Sequence, residues 1–150
     1  MTVEKCRIKG VYMAVGALGA SPAVILSFED ETCLPIYIGL WEAMSINSAL
    51  NKEVPPRPLT HDLFIDFFDR FKVALKALVI DSLQDGVYYA NLIFVQDGHE
   101  ITLDCRPSDG IAISIRCDAE ILIEEQVKKD SAMPAGDLPS LMDIGSYLGG

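Results

Sequence analysis

The sequence predicts an α+β fold: a mainly antiparallel or mixed sheet containing a three-strand meander, with about three helices. Three observations carry this. Two Asp-Gly pairs, Asp85-Gly86 and Asp97-Gly98, separate apolar runs, the pattern of tight hairpins. A proline-rich corner opens onto a segment with phenylalanines at helical spacing, Phe64, Phe67, Phe68 and Phe71. The regular strand-helix alternation of a doubly wound sheet is missing.

Taken in order, Val3 to Val15 reads as a strand bent at Gly10, and Gly16 to Pro22 as a loop. That loop lacks the Gly-Lys-Ser/Thr ending of a phosphate loop. Val24–Phe28 and Leu34–Ile38 form a strand pair across the acidic turn Glu29-Asp30-Glu31-Thr32. Leu40–Asn51 is helical, with Ala43, Ile46, Ala49 and Leu50 on one face. Pro55, Pro56 and Pro58 exclude helix from 54 to 58. Thr60 is the expected N-cap of a helix Thr60–Phe71, with Leu59 and Phe64 at the spacing of a hydrophobic staple. Its Leu63 and phenylalanine stripe is expected in the core, as is Trp41. Val73–Leu83, Val87–Val95 and Glu100–Cys105 make the meander. Strand alternation puts Thr102, Asp104 and Arg106 on one face. Ser108 is the expected N-cap of a helix Asp109–Cys117, followed by a strand Glu120–Glu124 and a helical turn Glu125–Lys129. Residues 1–130 read as one domain and 131–150 as a tail that either docks or stays poorly ordered.

The totals bound the function. A chain of 150 residues, half of them hydrophobic, supports one core and is not a disordered chain. Its apolar runs fall short of the ~20 residues of a membrane span. The first residues are charged and have no signal-peptide core, so a cytoplasmic location is expected. Cys6, Cys33, Cys105 and Cys117 form no C-x-x-C pair, against a zinc knuckle or redox dithiol; they read as reduced thiols. Net charge is −10. The excess lies late, with seven acids against Lys128 and Lys129 from Asp118 onward. That balance opposes non-specific nucleic-acid binding, and predicts weak affinity with a steep loss in salt.

Two corners stand out: Pro55-Pro56-Arg57-Pro58-Leu59-Thr60-His61-Asp62-Leu63, and Asp104-Cys105-Arg106-Pro107-Ser108-Asp109-Gly110. Together with Leu34-Pro35-Ile36-Tyr37-Ile38-Gly39 and Glu42-Ala43, they resemble the bifunctional nuclease domain family, from about Val11 to Val127. An alanine commonly follows the second motif's aspartate in that family; Gly110 stands there in this chain. The resemblance implies nuclease activity on DNA and RNA, ascribed to plant members, but hands over no settled mechanism.

Residue chemistry supplies candidates at those positions. Glu42, Asp62, Asp104 and Asp109 are oxygen donors suited to Mg²⁺ or Mn²⁺. His61, Asp62, Asp104 and Asp109 are the catalytic candidates, with His61 as a general base or further ligand. Arg57 and Arg106 suit phosphate. Each has a bland competitor. Asp62 and Asp109 would complement helix dipoles, Asp104 and Arg106 would form a structural ion pair, and His61 would be a satisfied structural histidine. His99 reads as an exposed turn residue. The alternative function is a non-enzymatic oligomeric binding or regulatory domain whose motif residues are structural. A homo-oligomer, most simply a dimer, is expected from surplus apolar surface and the tail residues Leu138, Leu141, Ile144 and Leu148.

Overall fold

The computed structural model describes residues 2–149. They form one twisted sheet with helices against it: β1 (Val3–Gly16), β2 (Gly19–Ser27), β3 (Thr32–Tyr37), α1 (Leu40–Leu50), α2 (Thr60–Phe71), β4 (Ala74–Gln84), β5 (Val87–Gln96), β6 (His99–Cys105), α3 (Pro107–Cys117), β7 (Glu120–Glu124), α4 (Glu125–Ser131), β8 (Met133–Pro134), β9 (Ser140–Asp143) and α5 (Ile144–Gly149). The sheet order is β6-β5-β4-β7-β1-β2-β3-β8, with β9 also on β1. Every pairing is antiparallel except β4 with β7, so the fold is α+β as the sequence predicts.

Both Asp-Gly turns close two-residue hairpins. Asp85 and Gly86 take φ of 51° and 78°, Asp97 and Gly98 of 50° and 79°. Positive φ at both central residues gives the twist that matches the flanking strands. β1 bends as expected, with a register shift between Ile8 and Gly10. The segment Gly16–Pro22 is not a loop: β1 and β2 continue to the Gly16–Gly19 pair, leaving only Ala17 and Leu18 at the turn. The tail docks. β9 pairs with Tyr12–Val15 of β1, β8 pairs with Thr32 and Cys33 of β3, and Ile144 is fully buried.

The core lies between the sheet and α1, α2 and α3. Leu26, Leu34, Ile46, Leu78, Ile80 and Ile111 are among its fully buried members. Residues Ala90, Leu92 and Phe94 of β5 face the helices, so their partners Cys105, Leu103 and Ile101 on β6 share that face. The phenylalanine stripe departs from expectation. Only Phe68 enters the core, edge-on to Phe94 at 4.8 Å between ring centroids, while Leu63, Phe64, Phe67 and Phe71 are 42–60% exposed. Trp41 is 76% exposed. The stripe is wider than the ridge that one helix can bury against this sheet.

Gly110 has a packing reason. A Cβ built on it would lie 2.5 Å from Leu78 Cδ1 and 3.0 Å from Cys105 Sγ. Leu78 is fully buried, so it has little room to yield. Replacing a mid-helix glycine by alanine gains about 1 kcal/mol of propensity, whereas overpacking costs about 1–3 kcal/mol. We expect Gly110→Ala to destabilise by about 1 kcal/mol, read as a lower urea midpoint at unchanged slope. A higher midpoint would show that Leu78 and Cys105 yield freely.

Candidate active site

Three helices bring the site together. Gly39 is the N-cap of α1, and Glu42 in the first turn folds back over it, filling the space a side chain there would need. The N-cap of α2 is Leu59, not Thr60. Asp62 reaches back to accept the Leu59 N–H at 3.0 Å, half of a capping box, which sets Thr60 at the first helical position. Leu59 and Phe64 are both about half exposed, and with Leu59 itself the N-cap they no longer hold the two positions of the expected staple. On α3 the N-cap is Arg106 and Pro107 starts the helix, so Ser108 lies inside the first turn and is buried. Pro107 suits that place because its missing N–H would have no partner there.

His61 sits 9% exposed between two partners. Nε2 lies 2.9 Å from Asp109 Oδ1, and Nδ1 lies 2.6 Å from Ser45 Oγ. Burial works against ionisation of Asp109, yet hydrogen bonds from Arg106 and His61 hold its carboxyl below the usual range. An ionised Asp109 accepts, so Nε2 carries a proton, and in the neutral ring Nδ1 is then the acceptor for the Ser45 hydroxyl. Arg106 completes the chain: its Nε donates to Asp109 Oδ2 at 2.9 Å and its Nη1 to Glu42 Oε1 at 3.0 Å. Behind this chain Arg116 is 9% exposed in its side chain. It donates to Asp62 Oδ1 at 2.8 Å, to the Ala112 carbonyl at 2.9 Å and to the Ser45 carbonyl at 3.3 Å. Burial of Asp62 is again outweighed, here by Arg116 and the Leu59 N–H, and its carboxyl is held low.

These groups border an open groove of about 770 Å³. Glu42, Ser45, His61, Arg106 and Asp109 form its polar side, and Trp41, Met44, Ile144 and Leu148 its apolar side. Of the residues the sequence singles out, Glu42, His61, Arg106 and Asp109 are brought together here. Asp62 faces Arg116 instead of the groove, and Arg57 is exposed on the loop that frames it. Asp104 stands apart. It pairs with Asn91, on the sheet face opposite Leu103 and the helices. The expected Asp104–Arg106 ion pair does not form, because Arg106 leaves the strand to cap α3 and turns to Asp109 and Glu42. Ser45 and Arg116 were not singled out by sequence. Nothing in their local pattern marks them, since both act through helix packing.

The residues do not fit a carboxylate-held Mg²⁺ or Mn²⁺ site. Among the described residues no three His, Cys, Asp or Glu side chains are grouped to hold an ion. Glu42 and Asp109 are committed to Arg106, and Asp62 to Arg116.

Residues 24–136 match the family described as the bifunctional nuclease domain. The chain belongs to it. An uncharacterized protein of Mycobacterium tuberculosis is 44% identical over 94 residues, covering 63% of this chain and 56% of that protein. Bifunctional nuclease 1 of Oryza sativa subsp. indica is 27% identical over 116 residues, covering 74% of this chain and 35% of the relative. Bifunctional nuclease 1 of Arabidopsis thaliana is 24% identical over 117 residues, covering 75% and 36%. This bifunctional nuclease domain therefore spans just over half the length of the mycobacterial relative and about a third of the plant ones. Both motif corners lie inside the matched region. No helix among the described residues is long and apolar enough to cross a membrane.

Two outcomes are expected. Removing Arg116 leaves Asp62 and two carbonyls short of a buried donor, so Arg116→Ala should cost about 3 kcal/mol in urea unfolding. A cost under about 1 kcal/mol would mean water replaces the guanidinium. Asp62 and Asp109 titrate lower folded than unfolded, so their contribution is complete above the unfolded value of 3.8 and is lost as pH falls through the folded values. Stability should fall below about pH 4, and Asp109→Asn should be less stable at neutral pH with a shallower decline in acid.

Proposed function

We propose that the bifunctional nuclease domain hydrolyses phosphodiester bonds of DNA and/or RNA in this groove. The observation that carries the reading is the Arg106–Asp109–His61 chain ending at Ser45 beside the groove. Arg106 is 65% exposed in its side chain and held by two carboxylates, so its free edge is aimed and ready for a phosphate oxygen. Asp109 fixes the tautomer of His61. A water bound to Ser45 Oγ passes its proton to that oxygen while the Ser45 hydroxyl proton moves to Nδ1. The water oxygen bonds to phosphorus, and the departing sugar oxygen takes a proton from solvent or from the imidazolium. Trp41 supplies an exposed ring at the rim on which a base can stack. Mg²⁺ or Mn²⁺ belongs to the proposal as an ion carried by the substrate phosphates, without a protein cage. A cytoplasmic setting accords with the four free cysteines, two of them, Cys6 and Cys105, pushed up to about 12, by burial first.

The groove favours a short single-stranded segment. Glu42, Glu53 and Asp109 border it with Arg106, so few phosphates are neutralised. With Arg57 and Arg106 as the phosphate contacts, the logarithmic salt slope should be shallow, about −1.4 at −0.7 per contact. This replaces the steep loss expected from net charge alone.

The test is cleavage of single-stranded DNA and RNA with Mg²⁺, Mn²⁺ or EDTA. His61→Ala should lose about 10²-fold or more, and Trp41→Ala should raise KM with little change in kcat. Ser45→Ala should lose less than His61→Ala, because water can occupy the vacated place. Asp104→Asn should stay near wild type. Cleavage indifferent to His61→Ala would be contamination and would end the enzyme reading, leaving an anion-binding domain.

A further inference from the structure

We propose that the aromatic face of α2, together with the helix-side residues of β6, is the contact between two copies of this chain. Leu63, Phe64, Phe67 and Phe71 are 60%, 42%, 50% and 58% exposed, and Ile101 and Leu103 are 46% and 49% exposed. They belong to one surface. Ile101 is the cross-strand partner of Phe94, Phe94 touches Phe68, and Phe68 lies one turn from Phe64 at 6.1 Å between centroids. Gln96 at the end of β5 donates to the Phe71 carbonyl, fixing the C-terminal end of α2 beside the β5–β6 hairpin. The tail cannot cover this surface, because its strands are occupied on β1 and β3.

Three features select a second copy as the occupant. At about 150–250 Å² for each aromatic side chain, the exposed fractions of the three phenylalanines amount to roughly 300 Å², and Leu63, Ile101 and Leu103 widen the patch. A contiguous patch of that size is of the order of the largest on a monomer, which is often functional, and supplies the apolar centre of an interface of ~800 Å² per partner. Charges of both signs flank the stripe. Helical spacing puts Asp66 and Arg70, four apart, on one side of it and Asp69 farther round, all exposed. An antiparallel two-fold packing of α2 on α2 brings Arg70 of each helix towards Asp66 of the other, and Leu63 towards Phe71. The same side of the molecule ends in β6, an open strand edge, which a partner shields. The contact would lie on the helix that carries His61, so assembly would also hold the N-terminal turn of α2 in place.

The contact differs from the one the sequence suggested, since Ile144 of the tail is spent inside its own chain. The experiment is light scattering and sedimentation of the full chain at tens of micromolar, for wild type, Phe67→Asp and Leu103→Lys. Wild type should have twice the chain mass. Each variant should raise the dimer dissociation constant about 30-fold or more, the scale of an interface hot spot, with an unchanged far-ultraviolet spectrum. If Phe67→Asp unfolds, Leu103→Lys on the other element decides. Phe67→Cys should cross-link under mild oxidation that leaves wild type uncross-linked. A monomeric wild type overturns the proposal, and so does a dimer that survives both charged variants.

Discussion

A single buried guanidinium holds the helical layer together. Arg116 reaches from the last turn of α3 to a carboxylate on α2 and a main-chain carbonyl on α1, while bonding a carbonyl of its own helix. The helices differ in how they are anchored. α3 lies against the sheet with Gly110 close to Leu78 and Cys105, and it buries Ile111, Ala112 and Ile113 in the core. α2 enters the core with little more than Phe68 and His61. Apolar packing alone would leave α2 free to slide, so its position is set by directional bonds. One of these places Asp62 against Arg116, and another places His61 against Asp109. The geometry of the groove is thus a product of charge-assisted hydrogen bonds, which fix angle and distance more sharply than hydrophobic contact does.

The same kind of bond holds Arg106 at the groove. Two carboxylates, Glu42 and Asp109, outnumber the single charge of Arg106 and hold its planar fork still. Lys128 shows the same pattern away from the groove. It joins Glu4 and Asp30 and lies over the Phe28 ring at 4.6 Å, tying α4 to β1 and the β2–β3 turn.

Much of this was legible in the sequence where the signal is local. Asp-Gly pairs dictate hairpins, three prolines exclude helix, and the Glu120–Glu124 strand carries its own alternation. His61, Asp109 and Arg106 were singled out because they sit at helix starts near prolines, and the fold brings them together. Asp104 was read on the right strand face, opposite Leu103; its pairing with Arg106 failed because strand parity was carried one residue too far, past Cys105 to the cap of α3. The caps were misread because Thr60 and Ser108 have good capping chemistry, but Asp62 and Pro107 won the positions next to them. Ser45 and Arg116 were invisible because their roles exist only after α1, α2 and α3 meet. The aromatic stripe was read correctly as apolar and wrongly as interior: periodicity reports that a face seeks cover, not which surface supplies it.

The place of β1 has a consequence for synthesis. It is joined to β7 along Val3–Cys6 and to β9 along Tyr12–Val15, residues more than a hundred positions downstream. As the chain leaves the ribosome, β1 can find β2 at once, and the meander β4–β5–β6 can close on its own turns. The two halves cannot join into one sheet until β7 emerges to bridge β4 and β1. Until then each half presents an open strand edge to whatever else is nascent nearby. Such long-range closure is slow relative to hairpin formation, so the last third of the chain governs when the groove first exists.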